Sequence, residues 1–205
     1  MKTINFKGDK LSKRIVVKRL KMWAHNDYGK SWYVNANDFA IHLSAKYNTP
    51  LLNVCGLISS LSPQKSWEEN KKQAERFLST GDTHNQTNAN KAKAHKIMLA
   101  TSKEEIVAIL NGNKTQRFFL NILLPNEIYG VTIDRHAIAA SIQNNNNVRP
   151  LDKKLAILTD NQYSFFEQCY EYAAAKLNLL PHELQAIVWE NYRIARGIKF
   201  KPYES

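Results

Sequence analysis

A chain of 205 residues is long enough for one good hydrophobic core, or for two small lobes sharing a cleft. Hydrophobic residues make up 43%, as in an ordinary globular protein, and 29 lysines and arginines against 18 acids give a net charge of +11. That balance favours a polyanionic partner, nucleic acid first. Two cysteines are too few for a four-thiolate zinc site or an iron–sulfur cluster.

The pattern along the chain is almost wholly helical. Residues 1–30 hold nine basic residues and two acids, so this segment carries +7 of the net +11. Within it, residues 11–25 read as a helix whose stripe of Ile15, Val16, Leu20 and Trp23 lies opposite the lysines. A helix over 35–47 follows, with Asn37 as its cap. Pro50 opens an apolar helix through Leu61 that is hydrophobic all round and therefore buried; it includes Cys55 as a core residue, and Pro63 ends it. An amphipathic helix over 67–78 stops before Gly81, and 81–86 is a loop. Helices over 89–99, 103–110 and 113–124 come next, the middle one opened by a Ser102/Glu105 capping box. After a turn at 125–130, residues 130–133 are briefly extended and 134–142 are helical. The Gln143–Asn147 run is an exposed loop, and two long helices, 160–177 and 181–196, complete the chain. Tyr163, Phe165, Phe166, Tyr170 and Tyr172 are read as packing of these last helices. The fold class is all-α, with no repeats and no clear interdomain linker.

Cysteine usage suits a reducing cytosol, the charged N-terminus carries no apolar signal segment, and the longest apolar run is too short to span a bilayer. No membrane, metal, cofactor or obligate protein partner is expected.

Two segments carry the chemistry: the turn Leu110-Asn111-Gly112-Asn113-Lys114-Thr115, and Val131-Thr132-Ile133-Asp134-Arg135-His136-Ala137. They place a lysine and a carboxylate at two helix starts. A third segment, 51–64 (LLNVCGLISSLSPQ), ends in Gln64. Together with Asn90 to Ala94, these segments stand in the order found in the helix-hairpin-helix DNA glycosylases of the endonuclease III kind, which the chain resembles over about 51–142. The 51–64 segment resembles their buried helix ending in Leu-Ser-x-Gln, Asn90 to Ala94 followed by 106–119 their Lys-Ala helix and Leu-Pro-Gly-x-Gly-x-Lys-Thr-Ala hairpin, and 131–137 their Val-Asp-Thr-His segment. The hairpin here is two residues shorter, Asn111 replaces its proline, its second glycine is absent, and Arg135 stands where threonine is common.

The resemblance implies two helical lobes around a cleft, one of residues 51–142 and the other of 1–50 plus 143–205. It implies a DNA partner and hydrolysis of an N-glycosidic bond, with Asp134 as the essential carboxylate and Lys114 as the nucleophile of an added lyase step. Gln64, Asn111, Gly112, Asn113, Thr115, Arg117, Arg135 and His136 would contact DNA. The chemistry is coherent. Breaking the bond builds positive charge on the sugar, which a carboxylate stabilises, and a lysine desolvated enough to lose its proton can attack the anomeric carbon. A base must also leave the stack to be reached. Blander readings stand beside these: Asp134 as an N-cap, Lys114 as a solvated helix lysine, Gln64 as a helix-end polar residue, His136 as a structural histidine, and Trp32 and Trp67 as core or cleft-lining aromatics. Two other functions are compatible with the sequence: a base-hypermodification enzyme acting at thymidine-derived bases in phage DNA, and a non-catalytic DNA-binding protein.

Overall fold

The computed structural model describes residues 2–143, 148 and 157–198. Ten helices and one small hairpin are formed among them, in the order β1(Thr3–Phe6), β2(Asp9–Ser12), α1(Lys13–Trp23), α2(Trp32–Tyr47), α3(Leu51–Leu61), α4(Trp67–Thr80), α5(Asn88–Leu99), α6(Lys103–Leu110), α7(Asn113–Leu123), α8(Arg135–Ile142), α9(Asp160–Ala175) and α10(Pro181–Ala195). The all-helical expectation holds apart from the hairpin. Most of the 143–147 loop expectation lies outside the described residues.

The chain forms two compact units: residues 1–33 with 126–205, and residues 34–125. The expected divisions at 51 and 142 are therefore displaced. Asn37 does not cap α2. It lies inside the helix, and its Nδ2 donates to the Ile122 carbonyl at 2.8 Å, tying α2 from Val34 onward to the end of α7. At the other end, the chain beyond Pro125 is held by α9, as described below.

In the first unit, β1 and β2 pair antiparallel with Ile4 opposite Leu11. Lys7 and Gly8 both have positive φ, at +54° and +94°, as a two-residue hairpin turn requires. This hairpin takes Leu11 and Ser12 out of the predicted helix. Ser12 instead caps α1, its Oγ accepting from Ile15 N at 3.4 Å. Val16, Leu20 and Trp23 are buried, whereas Ile15 is exposed, so the apolar stripe is narrower than expected. α1 packs on α8, α9 and α10. Phe6 meets Phe166 edge-on, with 5.2 Å between centroids. Tyr163, Phe165, Phe166 and Tyr170 are core residues as expected, but Tyr172 is half exposed, with the Lys13 ammonium 4.9 Å from its ring centroid. Burial pushes the Cys169 thiol up to about 12.

Residues 130–133, before α8, pair with no strand among the described residues. Side chains of α9 take that place: the Tyr163 hydroxyl donates to Val131 O at 2.7 Å and accepts from Ile133 N at 3.1 Å, and Val131 N donates to Glu167 at 2.9 Å. Three bonds to one helix thus fix the backbone that delivers Asp134.

The second unit is organised around α3. Residues 53–61 are all buried, which bears out the all-round apolar reading, and α4, α5, α6 and α7 each pack against this helix. Gly56 allows that approach: a Cβ there would lie 2.9 Å from methyls of both Ile97 and Ile106. Buried polar groups in α3 bind neighbouring backbone. Asn53 Nδ2 donates to Ile97 O at 2.6 Å and to Ala100 O at 2.8 Å, and Ser59 Oγ donates to Thr115 O at 2.7 Å. Ser102 caps α6 as predicted, but Glu105 reaches back to Thr101 N at 2.8 Å rather than to Ser102 N, so only half of the expected box forms.

Candidate active site

Asp134 stands immediately before α8 as its N-cap, with extended backbone. Oδ1 accepts from His136 N at 3.0 Å and from Ala137 N at 2.8 Å. Oδ2 accepts from the indole Nε1–H of Trp189 in α10 at 3.2 Å. A carboxylate offers about four lone-pair directions, so three N–H donors orient the group and leave one direction open. Asp134 is half-buried, within reach of solvent. Capping and chemistry therefore coexist at this residue, because the cap bonds consume one oxygen and leave the other with a single partner.

The surroundings are aromatic and cationic. Trp189 is half-buried on a helix whose other residues from Leu184 to Tyr192 are buried. Its ring meets Trp32 edge-on at 6.5 Å and His136 edge-on at 6.1 Å. The Arg193 guanidinium lies 4.2 Å from the Trp189 ring centroid, and its Nη1 holds both oxygens of Glu190 at 3.3 Å. Arg135 is exposed and directs Nε to His136 Nε2 at 3.4 Å. Accepting there places the proton of a neutral ring on Nδ1, which is buried with no hydrogen-bond partner.

Burial holds the His136 pKa below its ordinary value; Asp134 pulls the other way, and Arg135, Arg193 and Arg196 reinforce the lowering. The native state therefore binds fewer protons here than the unfolded chain, whose histidines titrate near ~6.5. Stability from this residue is present above that pH and is lost as pH falls through it. The melting temperature of His136→Gln should accordingly fall less between pH 7.5 and 5.5 than that of the wild type. Parallel declines would show that His136 is not a source of the acid sensitivity. Glu190 is also buried, and burial raises its pKa against the lowering influence of Arg193.

Asp134, Arg135 and His136 are thus brought together in the first unit, whereas Gln64 and the hairpin residues belong to the second. In the second unit, Asn111 and Gly112 alone join α6 to α7. Asn111 takes the left-handed conformation that ends α6, with φ at +46°. Gly112 has a φ of 177°, ordinary extended backbone, and a Cβ there would come no nearer than 3.6 Å to Thr115 Oγ1, so nothing in this turn demands a glycine. Lys93 Nζ donates to Leu110 O at 2.9 Å and Thr115 Oγ1 to Gly112 O at 3.1 Å, fastening both sides of the turn. Asn113 and Arg117 are half-buried in the first turns of α7, and Lys114 between them is exposed.

Gln64 is exposed, at the third position of a turn closed by Lys65 N to Ser62 O at 3.1 Å, with φ at +62° after Pro63. Left-handed backbone there is what a type II turn demands, and a glutamine pays a steric penalty for it. Gln64→Gly should therefore fold with unchanged stability or gain up to about 1 kcal/mol, the relief of strain being offset by a freer unfolded chain. A clear loss on chemical denaturation would show that the side chain, not the turn, is what matters at this position.

Trp189, Glu190, Arg193 and Arg196 were not anticipated as site residues. A signal was available: Glu190 and Arg193 are a helical i, i+3 charge pair flanking a tryptophan in an otherwise apolar run. Among the described residues no group of three His, Cys, Asp or Glu side chains is placed to hold a metal ion, and no helix is long and apolar enough to cross a membrane.

Fold and site define a basic, two-unit helical protein with an oriented carboxylate beside a tryptophan–arginine stack. The chain belongs to the family of unknown function DUF7178, whose model matches residues 7–196. Neither the curated proteins nor the solved structures contain a match.

Proposed function

We propose that this protein is a DNA glycosylase-like enzyme of helix-hairpin-helix architecture that hydrolyses the N-glycosidic bond of a damaged or modified base. The observation that carries this reading is the Asp134 carboxylate, fixed by three N–H donors with one lone pair left for water or for the charge developing on a sugar. A carboxylate so held needs no reorganisation as that charge builds, which is the condition for electrostatic stabilisation. Arg14, Lys18 and Lys21 lie at helical spacing on the exposed face of α1 and suit a phosphate backbone. Arg135 and His136 beside the carboxylate, and Gln64, Asn111, Gly112, Asn113, Thr115 and Arg117 in the second unit, are the proposed DNA contacts. Because Lys114 is exposed, the proposed reaction is hydrolysis through Asp134, with Lys114 contributing charge toward phosphate rather than covalent capture. Two free, buried cysteines suit the reducing cytoplasm of a bacterial or phage-infected cell.

A second reading, conversion of a thymidine-derived base without its release, is favoured by the two-residue α6–α7 connection, shorter than the glycosylase hairpin. Incubation with duplexes that each carry one modified base, followed by alkali, tests the first reading. Strand cleavage at the modified position supports base removal. Intact strands that contain an altered nucleoside support the second reading, and binding with neither outcome marks a non-catalytic DNA-binding protein.

A further inference from the structure

We infer that Arg193, with Arg196 and Arg135 near it, forms a phosphate-binding site beside Asp134, and that this site takes a phosphodiester of DNA. The assignment of that phosphodiester to the one flanking the reacting nucleotide rests on the function proposed above; the phosphate chemistry does not.

The geometry of Arg193 is that of a prepared donor. Its Nη1 is occupied by both oxygens of Glu190, itself 5% exposed, while Nε and Nη2 have no partner among the described residues. Stacking at 4.2 Å over Trp189 sets the plane of the guanidinium, and Trp189 is in turn bonded to Asp134 at 3.2 Å. A planar guanidinium whose Nε/Nη2 edge is free matches two oxygens of a phosphate, a task a lysine ammonium does only as a point charge. Arg135 uses Nε on His136 and leaves its terminal nitrogens without a partner among the described residues. Arg196, one turn after Arg193, lies beside Tyr192, whose pKa burial raises and the Arg196 guanidinium lowers. Arg135, Arg193 and Arg196 all lie within electrostatic reach of His136, three positive charges beside the two carboxylates Asp134 and Glu190. Basic residues in a last helical turn also offset the helix dipole, but that role does not hold a guanidinium over an indole 4.2 Å away with one edge open. The last turns of α10 thus acquire a use that no motif of the sequence supplied.

Calorimetric titration with an oligothymidylate of eight nucleotides at low salt tests this. Arg193→Gln should weaken binding by roughly 10- to 100-fold, the worth of a charge-assisted hydrogen bond. Arg193→Lys, which keeps the charge and can keep the Glu190 pair, should recover only part of the affinity, and Arg76→Gln, at an exposed position of the second unit, should cost far less. Oligothymidylate affinity unchanged in Arg193→Gln, or fully restored in Arg193→Lys, would overturn the site. Should Arg193→Gln not fold, Arg193→Lys decides alone. Thymidine monophosphate bound as tightly as the oligomer would assign the site to a free nucleotide and overturn the phosphodiester. Weakened binding in Arg193→Gln combined with no base release by the wild type would sink the glycosylase reading and leave the phosphate site standing. Base release with unchanged binding would do the reverse.

Discussion

Asp134→Asn should reduce turnover by about 10²- to 10⁴-fold, the contribution of a positioned acid–base group, while the fold and DNA affinity remain close to wild type. The separation follows from the two oxygens. The asparagine carbonyl oxygen can still accept from His136 N and Ala137 N, so α8 keeps its cap. The amide nitrogen then faces the Trp189 Nε1–H, donor against donor, where Oδ2 had accepted at 3.2 Å. Loss of that bond costs about 1 kcal/mol of stability, too little to unfold the protein, but the charge is gone. The measurement is turnover on the substrate identified from the duplex panel, with the melting temperature recorded on the same preparation. Turnover within a few-fold of wild type would remove Asp134 from the mechanism.

Trp23→Ala should be the most destabilising single change near the site, by about 3–5 kcal/mol. Trp23 is 1% exposed, meets Tyr192 edge-on with 5.4 Å between centroids, and donates Nε1–H to Ala140 O at 3.1 Å; its own carbonyl accepts from Asn191 at 2.8 Å. One side chain therefore joins α1 to both α8 and α10, the two helices that present Asp134 and Trp189. Alanine leaves a large cavity and an orphaned buried carbonyl. Against a typical total of roughly 5–15 kcal/mol, that loss should shift the urea midpoint strongly and loosen the site before the protein unfolds. Trp23→Phe should fall between the two, because it fills the cavity without restoring the bond. A midpoint for Trp23→Ala near that of the wild type would show that α1 is not what supports α8 and α10.

Local signals made several of these features legible in the sequence. α3 was readable because residues 51–61 are apolar on every side, a pattern that only burial satisfies. The role of Asp134 as a helix start was readable because a short polar acceptor precedes an apolar helical run. The β1–β2 hairpin was hidden: each strand is four residues long, and Leu11 fits a helical stripe as well as a strand. Only the Lys7-Gly8 pair marked it. Asn37 fits a cap by residue type, and its actual partner, Ile122 O, is 85 residues away. The Trp189–Asp134 bond spans 55 residues. Contacts of that range are made by packing, and the period or propensity of a single segment carries no trace of them. Half of the site, the carboxylate and its cap, was therefore visible in the sequence, while the α10 half was not.

The most direct test of the central claim is mass spectrometry of the small molecules released when the protein is incubated with DNA carrying a panel of modified bases. A free base should be released from one or a few of these substrates by the wild type and not by Asp134→Asn. Nucleosides recovered intact on every substrate, or equal release by both proteins, would contradict it.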